Sequence, residues 1–277
     1  MDPALTRAGR FDQKIEVTAP DKAGRREVIA GYLKKIRHDE TVNIEAVVED
    51  TPRATPAQIS SAITKDAVRI ALFNGREAVS QSDIDLALQE QALGIEQPIE
   101  EWDAEQRKQV AYHEAGHAVA QYHLMPDQRI VRLSIIRRGG ALGYMMPVDR
   151  VEVYAQPLRR IVAHIMVGMA GHVATRIFMG EYWTGASGDF ASIRYGLAVL
   201  YSLGYFGPPT RTVALPNAGP EANTEDIDRY WKVLEDQTEI LLQRHTEQVR
   251  LLAEALIERA DLSHDDVMAI LEPKAGA

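Results

Sequence analysis

The chain has 277 residues, a net charge of −9 at pH 7 and no cysteine. That length leaves room for about two domains with cores of their own, and 45% apolar with 26% charged residues is the composition of a soluble globular chain. The acidic balance runs against nucleic-acid binding, which needs a basic face; the missing cysteines exclude disulfides and thiolate zinc ligands and fit a reducing compartment weakly. The start carries no signal peptide, and the most apolar run, 161–174, is interrupted by His164 and His172 and is too short to span a bilayer.

In chain order, the first periodic segment is a helix over 22–36, behind Pro20-Asp21, with Val28, Ile29, Tyr32 and Leu33 at helical spacing. A short helix follows at 44–48. Thr55 caps a longer one that starts at Pro56, runs to 73 and closes at Asn74-Gly75. Ser82-Asp83 opens another through 88, and 94–100 is a linker. A proline-free stretch, 104–125, repeats apolar residues at helical spacing (Val110, Ala111, Ala115, Ala118, Val119, Tyr122). Pro157 is placed as a first helical residue, which predicts a long helix over 158–179. Its small residues Gly168, Ala170, Gly171 and Ala174 allow close approach by a neighbour, expected to be the 104–125 helix. Residues 207–223 read as a surface loop. One helix is expected over 224–259 with Ile227, Trp231, Leu234, Ile240, Leu241, Val249 and Leu252 on its apolar stripe, and Ser263 caps a last short helix. No internal repeat or low-complexity tract occurs.

The chemistry concentrates at His113-Glu114-Ala115-Gly116-His117. At 3.6 residues per turn, histidines four apart project from one face. They can hold one Zn²⁺ with a ring nitrogen each, leaving positions for a third ligand and a water. Glu114 is then within reach of that water as a general base. This HExxH pattern points to hydrolysis of a peptide bond. Two histidines can also simply pack or face water, so the third ligand matters. Thr184-Gly185-Ala186-Ser187-Gly188-Asp189 permits a tight turn and sets Asp189 in the first turn of the next helix. A carboxylate there also complements the helix dipole, and the two roles are compatible. Among the other histidines, His164 and His172 are expected to be packed or hydrogen-bonded inside their apolar helix. His123 could visit the rim of the site, while His38, His245 and His264 are expected in solvent.

HEAGHA, then Ala141-Leu142-Gly143-Tyr144, then TGASGD resembles the peptidase domain of FtsH-type AAA+ proteases. The resemblance implies His113, His117 and Asp189 as zinc ligands and Glu114 as the base. Residues 134–147 also resemble the family's strand preceding the ALGY segment, an edge to which an extended substrate could add. Asp2-Pro3-Ala4-Leu5-Thr6-Arg7-Ala8-Gly9-Arg10-Phe11-Asp12 resembles the end of an AAA+ core, where arginines reach the neighbouring subunit's nucleotide. Arg7 and Arg10 match those positions and would act as trans arginine fingers in a longer parent.

No GxxxxGK[ST] loop occurs, so ATP hydrolysis is not expected from this chain alone; a fragment of a longer protein is the simplest reading. The resemblance divides it into a core remnant (1–20), a helical AAA+ lid (21–93), a linker (94–103) and the peptidase domain (104–277). The lid departs from the family's GFSGADL at Arg53-Ala54-Thr55-Pro56-Ala57-Gln58-Ile59. Thr175-Arg176 stands where relatives carry an acidic pair.

The expected fold is mainly α: a helical lid, then a mostly helical zincin-like domain with a small β-sheet. The expected function is a zinc-dependent endopeptidase that degrades unfolded or membrane-extracted proteins, with one Zn²⁺ per chain and ATP/Mg²⁺ only in the parent. The resemblance further implies protein substrates, a homo-hexameric ring and no nucleic acid. It puts membrane contact in segments absent here, and the parent at the cytoplasmic face with this chain itself soluble. The alternatives are a proteolytically silent ring subunit and an ATP-independent zinc peptidase.

Overall fold

The computed structural model describes residues 18–205, apart from 152 and 154, and residues 224–273. Arg7, Arg10, the core remnant up to residue 17 and all of the 207–223 segment lie outside them. The chain divides into two compact units at Gln91/Ala92.

The first unit contains α1 (Lys22–Leu33), α2 (Ile44–Asp50), α3 (Pro56–Ser61), α4 (Ala67–Phe73) and most of α5 (Gln81–Leu93). The starts of α1, α2 and α3 are each set by a side chain that satisfies free backbone N–H groups. The Asp21 carboxylate accepts from Gly24 N at 2.8 Å, Asn43 accepts from Glu45 N and Ala46 N, and Thr55 and Gln58 form a reciprocal capping box ahead of Pro56. A π-helical turn, Ala62–Asp66, joins α3 to α4, so helical backbone runs from 56 to 73 as the sequence predicts. It ends at Asn74 and Gly75, whose φ of +71° glycine tolerates without strain. The helices bury Ile29, Leu33, Val48, Ile59, Ile63, Ile84 and Ala87 against one another.

The second unit contains α6 (Ala104–Leu124), β1 (Gln128–Ser134), β2 (Tyr144–Asp149), α7 (Leu158–Met179), α8 (Ser187–Ser202), α9 (Thr224–Arg244), α10 (Thr246–Arg259), β3 (Asp261–Ser263) and α11 (His264–Leu271). The mainly helical fold with a small sheet is as expected. The sheet is antiparallel in the order β2-β1-β3, with Ser134 opposite Tyr144 and Leu133 opposite Leu262. Pro147 lies in the outer strand β2, where the register with β1 shifts between Ile130 and Arg132. Edges and bulges are where a residue without an N–H fits a ladder.

Helix α7 belongs to two hydrophobic clusters. Ala163, Val167, Ala170, Val173 and Ala174 pack toward α6, α10 and the sheet; Ile165, Met166 and Met169 pack with Ile193, Leu197, Leu200 and Leu234 of α8 and α9. A helix clasped on two sides is apolar nearly all round. Alone among the described helices, α7 has the length and composition to cross a membrane, yet most of it is buried in this unit.

Two local expectations are corrected. Residues 134–147 are not one strand: β1 ends at Ser134, 135–143 is a loop, and β2 starts at Tyr144. Arg138 anchors that loop, donating to Gly94 O (3.0 Å) and Glu96 Oε1 (2.5 Å), and Gly139 has φ +55°. The 224–259 helix is broken at His245, which has φ −115° and ψ 28°. Thr246 Oγ1 bonds back to Gln243 O at 2.8 Å, a local competitor of the helix ladder. The break lets α9 lie along α7 while α10 lies along α6, and it leaves Ile240 about half exposed.

Candidate metal centre

Helix α6 starts at Asp103, whose carboxylate accepts from Glu105 N and Gln106 N at 3.0 Å. Ten to fourteen residues on, His113, Glu114 and His117 are all buried. Room for them comes from glycine. A Cβ on Gly116 would fall 2.5 Å from Ala170 O and 2.6 Å from Ala174 Cβ, so α6 and α7 are in backbone contact there. On the facing helix, a Cβ on Gly171 would fall 2.5 Å from both His113 Cε1 and His117 Nε2. The small residues of α7 thus do what their spacing suggests.

The third group arrives from α8. Gly185, with φ +115°, turns the chain just before that helix, and Asp189 stands in its first turn. Asp189 Oδ2 is 3.1 Å from His113 Nε2 and 3.6 Å from His117 Nε2, and the two Nε2 atoms are 3.1 Å apart. Ligands about 2.1 Å from a tetrahedral zinc stand about 3.4 Å from one another, so these three atoms fit one small divalent cation. They form the group among the described residues with metal-holding geometry, within 4.8 Å of one another. Orientation is also fixed: His117 Nδ1 donates to Val167 O at 2.7 Å, which directs Nε2 to the cluster.

The electrostatics favour a cation at the same point. Burial works to lower the His117 imidazole, but the hydrogen bond to Asp189 and the charges of Asp189 and Glu114 outweigh it and push it up to about 9. Burial lowers the His113 imidazole against the pull of Asp189, with the charge of His117 adding to the effect. Burial opposes ionisation of Asp189 too, yet the two imidazoles hold it well below the usual carboxylate range. Glu114 is pushed up to about 7, mainly by burial.

The cluster opens into a cavity of about 650 Å³, which Gln109, Val110, Tyr144, His164 and Thr184 also line. Gly143 closes over the base: a Cβ there would lie 2.9 Å from Glu114 Oε1 and 2.9 Å from Ser134 O. Gly143 and the Val167 carbonyl are site elements that residue-type reasoning missed, since one has no side chain and the other acts through its backbone.

His164 corrects an expectation, for its ring is exposed and lines the cavity. His172 is packed as expected, with Nε2 donating to Glu235 Oε1 at 3.3 Å and the ring against Phe190. His123 turns away from the rim, bonds Gln248 at 2.8 Å and stacks on His245 with ring centres 3.6 Å apart. His264 is tied to Ile130 O at 2.8 Å rather than free in solvent. Thr175 bonds within its own helix to His172 O, and Arg176 reaches Glu239 at 2.7 Å; neither is hydrogen-bonded to His113 or His117.

Residues 100–197, which carry all four of these groups, match the sequence model of Peptidase family M41. They belong to that family. Beyond the M41 segment, the chain is similar over 98% of its length to "ATP-dependent zinc metalloprotease FtsH 2" of Methylacidiphilum infernorum, at 28% identity and covering 45% of that protein. A Bdellovibrio bacteriovorus protein of the same name is 33% identical over 81% of this chain and 38% of its own length. "ATP-dependent zinc metalloprotease YME1L" of Drosophila melanogaster is 30% identical over 98% of this chain and 37% of its own. The chain therefore spans less than half the length of these relatives. The resemblance read from HEAGHA and TGASGD is the one the comparisons return.

Proposed function

We propose that this chain is the proteolytic part of an FtsH-like ATP-dependent protease, a zinc endopeptidase acting on unfolded or membrane-extracted proteins. The observation that carries the reading is the meeting of His113 and His117 with Asp189, 72 residues further along the chain than His117, beside a buried Glu114. Zinc held there would supply a water acidified to a pKa of about 7 and a Lewis acid for the scissile carbonyl. Glu114 takes the proton of the attacking water and returns it to the leaving amine. Val167 O keeps the His117 ring turned toward the cluster. The free edge of β2, whose first residue follows Gly143, offers main-chain groups to an extended substrate.

The first unit is assigned as the AAA+ lid, within a homo-hexameric ring whose ATPase core delivers substrate. Arg7 and Arg10 would serve the neighbouring nucleotide there.

The test is degradation of a labelled, unstructured protein by the zinc-loaded chain, by the chelated chain and by Glu114→Gln. Zinc-dependent cleavage that the Gln variant loses by at least about 100-fold supports the reading. A folded chain that takes up one zinc and cleaves nothing would instead be a silent ring subunit.

A further inference from the structure

The cavity does not end at the metal cluster. Gly171 touches both histidines, and from it one face of α7 leads back toward the helix start through Gly168, Val167 and His164 to Arg160, at the three- and four-residue spacing that aligns side chains. His164, Val167 and Gly168 all line the cavity. Strand β2 lines the same cavity through Tyr144 and Met145. Its first residue follows Gly143, which is packed on Glu114, and its last is Asp149, which is ion-paired with Arg160.

Helix and strand therefore both lead from the HExxH residues to the Arg160–Asp149 pair, and their lengths agree. Eleven helical residues from Gly171 to Arg160 rise about 16 Å, and five strand residues from Tyr144 to Asp149 cover about 16 Å. An extended segment added along β2 would start beside Tyr144 and Met145, across the cavity from His164, Val167 and Gly168. His164, seven residues from Gly171, lies about 10 Å from the cluster along the axis. That is the length of about three residues of extended chain.

Among the described residues, the charged groups that act on the His164 ring are Arg160 and the carboxylates of Asp127 and Asp149; Arg160 donates to Asp127 Oδ2 at 2.5 Å and to Asp149. The guanidinium is buried, whereas the Asp127 side chain is 46% exposed. The ring itself is held below its usual value by partial burial and by Arg160, so near neutral pH it adds an acceptor and no charge.

We propose that His164, with Asp127 and Asp149 behind it, forms a specificity subsite that prefers a cationic side chain, Lys or Arg, about three residues from the bond cleaved. The subsite rests on the peptidase reading above and deepens it.

The experiment uses the zinc-loaded chain and unstructured peptides of one sequence, varied to Lys, Ala or Glu at each position up to four residues either side of the cleaved bond. Products are identified by mass spectrometry. At one position about three residues away, Lys should exceed Glu in kcat/KM by about fivefold, the worth of one partly exposed charge pair. His164→Arg, which adds a cation at an exposed position, should reverse that order. Asp127→Asn should bring the ratio close to one. Efficient cleavage with a flat profile, or a Lys preference that both variants retain, overturns the subsite and leaves the peptidase standing. No cleavage of any peptide by a folded, zinc-loaded chain overturns both.

Discussion

Gly171 and His117 meet with no space between them: a methyl group on the glycine would lie 2.5 Å from the imidazole Nε2. That nitrogen is also 3.1 Å from His113 Nε2 and 3.6 Å from Asp189 Oδ2. The α7 backbone is thus the wall that sets how far back both rings can sit.

Gly171→Ala should displace the rings and weaken zinc binding at least about tenfold, the usual cost of disturbing what orients a metal ligand. Competition against a calibrated chelator measures it. Unchanged affinity would show that the rings can move aside freely.

Gly116→Ala acts one helix away and on the fold. Its methyl would press on Ala170 O, a backbone atom, and on Ala174 Cβ. Overpacking of this kind costs about 1–3 kcal/mol, so the second unit should melt earlier while the purified folded variant still binds one zinc. A melting temperature equal to the parent's would contradict the contact.

Acid should weaken the first unit through Asp83. Its side chain is 2% exposed and accepts from Arg76 Nη1 (2.5 Å) and Nη2 (2.6 Å) and from Ser80 N (2.8 Å). Burial raises this carboxyl, but the hydrogen bonds from Arg76 and Ser80 outweigh it, so its pKa is depressed in the folded state. A depressed carboxylate contributes stability above its unfolded pKa of about 3.9, and that contribution is lost as pH falls through the lower folded value. Asp83→Asn should lower the denaturation midpoint at pH 7 and flatten the loss of stability below about pH 4. Identical acid profiles for the two proteins would argue against the pair.

Ser263 caps α11, accepting from Asp266 N while Asp266 Oδ2 accepts from Ser263 N at 3.0 Å. Ser263→Ala should cost about 1 kcal/mol, read as a shift in urea midpoint at unchanged slope. The zinc site lies elsewhere in the unit and should keep its affinity.

What the sequence revealed, and what it hid, follows from where each residue's information lies. Histidines four apart state their common face directly, and Gly185 ahead of Asp189 announces a turn into a helix start. The caps at Thr55 and Ser263 are chemical signals, and those boundaries are legible to within a residue or so. His164 was not legible because α7 is apolar on several faces; periodicity cannot say which face meets solvent when two are buried. The break at His245 has no Gly or Pro to mark it, and depends on α9 and α10 lying against different partners. The extent of β2 depends on its pairing with β1, which lies outside any single window.

Because α7 is gripped by one cluster toward α6 and another toward α8 and α9, the scaffold holds both sides of the site independently of any ion. His113 and His117 are set by the first contact and Asp189 by the second. An arriving metal therefore finds its donors already convergent, and its binding energy appears as affinity rather than being consumed in ordering the chain. Chelation should then leave a folded protein that reloads quickly, unlike small zinc modules that collapse when stripped.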